Sequence, residues 1–112
     1  MARLLKEIRF KIDDAFLPED AEVFVTLRRP TPKETSDFMG SRWEAGKGGR
    51  MKDYSHEARC EFFDLLLTKV EGFEGDDGQP VTPERKELIP GNWKGTVILK
   101  NFELIEIDSK NF

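Results

Sequence analysis

The chain has 112 residues, enough for one domain, and 36% of them are charged, well above the usual value of about 25%. Eighteen basic against 22 acidic residues give a net charge of −4, with no long block of one sign, which disfavours a binder of the phosphate backbone. One Cys and one His exclude an internal disulfide framework and a His-rich metal site. No apolar run approaches a membrane span and Met1–Lys6 opens no signal peptide, so a cytoplasmic protein is expected.

Glu7–Ile12 alternates, with Ile8, Phe10 and Ile12 on one face. Asp13-Asp14 and Leu17-Pro18-Glu19-Asp20 carry turn chemistry. Glu22–Arg28 resumes as a second strand, with Val23, Val25 and Leu27 facing one way. The pattern predicts an antiparallel hairpin over 4–28, which must pack on helices because an isolated hairpin is marginal in water. Thr31 followed by Glu34 makes a capping box, and Pro32 takes the first helical position. A helix over 32–44 follows, with Phe38 and Trp43 inward. Gly46-Lys47-Gly48-Gly49-Arg50 reads as a mobile loop tip; it lacks the GxxxxGK[ST] spacing of a phosphate loop.

The clearest predicted element is a helix over 55–71, with Ser55 as N-cap and Gly72 just past its end. Arg59, Phe62, Phe63, Leu66, Leu67 and Val70 follow its helical rhythm. Arg59 heads that stripe and must snorkel or pair. Residues 72–80 form an acidic, turn-rich connector, and Thr82-Pro83 opens a short helix over 83–88. Asn92 caps a last helix over 93–106, its face formed by Trp93, Val97, Ile98, Phe102 and Ile105. The β-branched run Thr96-Val97-Ile98 and the alternation over Leu104–Ile107 make a strand the competing reading there. The expected fold is α+β: one small domain, 1–112, with an N-terminal hairpin packed on three to four helices.

Little of this points to catalysis. His56 and Cys60 stand at i, i+4, within reach of one another on a helix. A Cys–His nucleophile also needs an orienting group and an oxyanion donor, and neither is visible. With Gly78 as the sixth residue of a calcium loop, Asp77 and Glu84 fall at ligand positions, but Phe73 and Gly75 occupy the first and third. An acidic turn is the better reading, and no metal or cofactor is expected. Arg28, Arg29 and Lys33, with Arg3, Arg9 and Lys11 on the hairpin, make a small basic cluster suited to a protein rim. Aromatic residues at element ends, such as Phe16, Phe73 and Trp93, are core plugs or interface anchors.

The order of segments resembles the small tail assembly chaperones of long-tailed bacteriophages and prophages. The residues that carry it are Val25-Thr26-Leu27-Arg28-Arg29-Pro30-Thr31, then Phe62-Phe63-Asp64-Leu65-Leu66-Leu67-Thr68-Lys69-Val70-Glu71-Gly72-Phe73. Asp76-Asp77-Gly78-Gln79-Pro80-Val81 and Leu88-Ile89-Pro90-Gly91-Asn92-Trp93-Lys94 complete it. The resemblance covers roughly 22 to 105, and its motifs are turn chemistry and apolar spacing. It implies a non-enzymatic helper that holds the tape-measure protein soluble while the tail tube polymerises, with Arg28, Arg29, Phe73, Trp93 and Phe102 as partner-binding residues. Its partners are then the tape-measure or tail tube protein, with no nucleic acid or membrane and self-association as an option. The alternative is a structural virion component, such as a head–tail connector or minor tail subunit, that self-assembles. A small regulatory nucleic-acid binder ranks below both.

Overall fold

The computed structural model describes residues 1–103, apart from the side chain of Lys47. The fold is α+β and opens with an N-terminal antiparallel hairpin. The chain divides into two compact units, Met1–Arg29 with Leu66–Pro90, and Pro30–Leu65 with the segment that starts at Gly91.

In the first unit β1 (Glu7–Lys11) pairs antiparallel with β2 (Phe24–Arg28), and β5 (Leu67–Glu71) adds a third strand on the far side of β2. Alternation gives the sheet two unlike faces. Val25 and Leu27 are 1% exposed, and Ile12, Val23, Leu67, Val81 and Ile89 are buried with them. On the polar face the Arg9 guanidinium lies 3.5 Å from the centre of the Phe24 ring and forms a two-pronged bond to Glu71, at 3.0 and 2.9 Å. That pair crosses β2 and ties both edge strands to the middle one. Beyond β5 a 3-10 helix, Pro83–Leu88, packs against the strand.

β5 corrects the helix expected over 55–71. The helix, α2, spans Ser55–Leu66 only, and the chain passes straight from it into the strand. A bulge explains the misreading. Leu67 pairs with Leu27 and Val70 with Val25, yet Thr68 and Lys69 both stand between them, with the register shift at Thr26/Leu27. Apolar residues therefore recur at i and i+3, which is helical spacing, while the backbone is extended. Thr68 Oγ1 donates to the Thr26 carbonyl and to Glu7 Oε2, both at 3.2 Å, which uses the bulged position. Gly72 (φ +75°) consequently ends a strand rather than a helix.

In the second unit α1 spans Pro32–Ser41, three residues shorter than expected at its C-terminal end. The capping box is formed: Glu34 N donates to Thr31 Oγ1 at 3.1 Å, and Thr31 N donates to Glu34 Oε1 at 2.9 Å. The chain then makes a second small hairpin, β3 (Trp43–Ala45) with β4 (Met51–Asp53), joined through Lys47–Gly49. The glycine-rich stretch is thus the turn that joins these two strands. Trp43, expected inward on a helix, is 47% exposed on β3. After α2, α3 runs over Gly91–Ile98 and widens into a π-helical turn, Leu99–Glu103. That bears out a helix from the Trp93 region to Glu103; residues 104–107, where a strand competed, lie outside the described residues.

The core of this unit is aromatic. Phe38 and Phe62 stack with ring centres 4.3 Å apart, and Phe102 meets Phe62 edge-on at 5.7 Å. Arg59 pairs, as its place on the apolar stripe requires. Its guanidinium donates to both Glu103 oxygens, at 2.6 and 3.2 Å, and Arg42 adds a third bond at 3.1 Å, so one buried carboxylate joins α1, α2 and the π-helical turn. Lys94 is equally buried and lies 2.7 Å from Asp64. Buried pairs lose more when halved than when replaced whole. Asp64→Ala is therefore expected to destabilise by about 2 kcal/mol, reduced from the fully buried case because Asp64 is partly exposed, whereas Asp64→Ala with Lys94→Met recovers most of the loss. Urea denaturation of the single and double variants measures this.

Candidate functional site

The β3–β4 hairpin presents apolar surface that the described residues leave uncovered. Pairing sets Trp43 opposite Asp53, Glu44 opposite Lys52 and Ala45 opposite Met51. Residues directly opposite share a face, so Trp43, Ala45 and Met51 lie on one side together with Asp53, and the Glu44–Lys52 pair lies on the other. All six positions are exposed, Trp43 at 47% and Met51 at 59%. A hairpin this short gains little from its own ladder. Its ends are held instead: Tyr54 N donates to the Arg42 carbonyl at 2.8 Å, and Gly46 N to the Arg50 carbonyl at 2.5 Å.

Asp53 ties this hairpin to the start of α2. Its Oδ1 accepts from Ser55 N at 2.8 Å and from the Ser55 hydroxyl. Asp53 thus satisfies the N–H of the first residue of α2 from outside the helix, and Ser55, the expected N-cap, is that first helical residue. The two bonds from Ser55, the hydroxyl's first, hold the carboxyl below its usual range. A depressed folded-state value means stability present above the unfolded value and lost as pH falls through the folded one. The junction is expected to loosen below about pH 4, and Asp53→Asn is expected to flatten that part of an acid titration followed by circular dichroism.

His56 and Cys60 meet as their spacing predicts, with Cys60 Sγ 3.7 Å from His56 Nε2 and 3.8 Å from the Gly91 carbonyl. Burial pushes the thiol up, opposed by Lys94 and assisted by Asp64, Glu57 and Glu61, which favours the protonated form over a nucleophilic thiolate. The imidazole lies against α3, where a Cβ on Gly91 or Gly95 would meet its nitrogens at 3.4 and 3.5 Å. In the acidic connector Asp77 accepts from Gln79 N at 3.0 Å and from Arg85 at 2.6 Å, so both its oxygens serve the turn. Among the described residues no three His, Cys, Asp or Glu side chains are grouped to hold a metal.

The five expected partner contacts divide between the two units, and those of the first unit do not form one patch. Arg28 and Arg29 sit together at the end of β2, where Arg28 donates to the Arg29 carbonyl at 3.4 Å. Phe73 follows Glu71, which pairs with Phe24, and so lies at the opposite end of that sheet. Trp93 is 5% exposed and fills the core of the second unit, so it offers no surface to a partner. Phe102 is half-buried against Phe62. The residues that sequence reasoning missed are Trp43 and Met51. Nothing local marks them as outward, because that depends on what covers the hairpin.

Comparison with family models, with curated proteins and with solved structures finds no match to this chain.

Proposed function

We propose that this chain is a non-catalytic assembly chaperone of the long-tailed phage kind, acting in the host cytoplasm. It keeps a tape-measure protein soluble until the tail tube has polymerised around it. The observation that carries this reading is the apolar part of the β3–β4 hairpin face, Trp43 with Ala45 and Met51 beside Asp53, which the described residues leave exposed. A long helical partner has an apolar stripe that aggregates in water, and a small apolar face lets such a stripe bury itself for a time. Tryptophan and methionine suit this use: the indole supplies contact area at low entropy cost, and the thioether adapts to different neighbours. Thickly charged surroundings keep the chaperone soluble while it exposes that face. The order of turn and apolar motifs along the chain supports the same reading.

Affinity capture of the tagged chain from cells with the source phage or prophage induced, followed by mass spectrometry, tests it. Recovery of a very long, helix-rich tape-measure protein is the expected result. Recovery of the chain as a subunit of finished particles, with no tape-measure protein bound, would move it to the structural class instead.

A further inference from the structure

The two ends of the three-stranded sheet differ sharply in chemistry. At one end Arg29 N donates to the Lys6 carbonyl at 2.7 Å, which fixes the entry to β1. The residues before it form an exposed arm in which Leu4 is 76% and Leu5 68% exposed. Arg3 and Lys6 flank them, and residues 1–6 contain no acid.

At the other end the turn after β1 and the segment after β5 enclose a groove of about 520 Å³, floored by Leu17, Ala21, Val23, Phe73 and Pro80. Glu74 stands on its border, and Asp13, Asp14 and Glu19 line a hollow that shares Leu17 and Ala21 with it; Lys11 is the one basic residue there. Residues 13–22 carry five acids and residues 71–80 carry four, with no Lys or Arg in either. The walls are built rather than loose. Phe16 N donates to Asp14 Oδ1 at 2.8 Å, Leu17 N to the Asp14 carbonyl at 3.0 Å, and Val81 N to the Phe73 carbonyl at 2.9 Å.

We infer that the arm of one copy docks in the groove of a second, so that chains associate head to tail. The Leu4–Leu5 pair meets the apolar floor, and Arg3 and Lys6 meet the carboxylates around it. A chain cannot satisfy its own groove this way. The groove lies past the far end of β1, about 20 Å from Lys6 at roughly 3.3 Å per residue, whereas Leu4 reaches at most about 7 Å from Lys6. The contact joins unlike surfaces, so each added copy leaves one arm and one groove open, and association continues until a ring closes.

Sedimentation velocity on the full chain, from micromolar to millimolar, tests this without any other protein present, so its outcome stands apart from the chaperone reading. Wild type is expected to self-associate, less so at high salt. Leu4→Asp with Leu5→Asp, and separately Glu19→Lys with Glu74→Lys, are each expected to weaken association about tenfold or more. All four positions are exposed, so neither variant disturbs the core. An equimolar mixture of the two variants retains one intact arm and one intact groove, and is expected to stop at a one-to-one dimer. A monomeric wild type, an arm variant that associates like wild type, or a mixture that stays monomeric would each overturn the proposal.

Discussion

Gly72→Ala is expected to destabilise the first unit by about 3 kcal/mol, from two causes that add. Gly72 sits at φ +75°, which costs an L-residue roughly 1–2 kcal/mol. A Cβ there also runs into the backbone carbonyl oxygen of Glu22, and backbone cannot swing aside as a side chain can, so overpacking adds about 1–3 kcal/mol. Gly78 separates the two terms. Its φ is +76°, yet a Cβ on it meets nothing within 4 Å, so Gly78→Ala carries the conformational cost alone. Chemical denaturation of both variants is expected to place Gly72→Ala well below Gly78→Ala; equal losses would remove the close approach from the account.

Phe62→Ala is the second large effect, about 3–5 kcal/mol. Phe62 is 4% exposed and is the shared member of two ring contacts, stacked on Phe38 and edge-on to Phe102. Its removal leaves a cavity and strips both partners of their ring contact. Phe102→Ala, half-buried and with one of those contacts, is expected to cost less. A double-mutant cycle between Phe38 and Phe62 is expected to show coupling of about 0.5–1.5 kcal/mol.

Elements with local causes were legible in the sequence. Thr31, Pro32 and Glu34 mark the start of α1 by chemistry that needs no tertiary contact, and the alternation of β1 and β2 announces the hairpin. Arg59 on an apolar stripe demanded a partner, although nothing in the sequence could name Glu103, 44 residues away. β5 was hidden because its bulge gives an extended segment helical spacing. β3 and β4 were hidden for another reason: three-residue strands around a glycine-rich turn hold too few positions to show a period. The candidate site lies in that second group. Trp43 looked like a core residue because a large aromatic ring is usually covered, and its exposure follows from a hairpin that the sequence pattern does not announce.

The central claim is that the Trp43–Met51 face shields a tape-measure protein from aggregation. Its most direct test is the soluble fraction of that protein when co-expressed with this chain or with Trp43→Ser and Met51→Ser together. Both positions are exposed, so the variant is expected to fold as wild type does. Wild type is predicted to keep the tape-measure protein soluble while the double variant leaves it in the pellet. Equal solubility with both, or no effect of wild type, would contradict the claim.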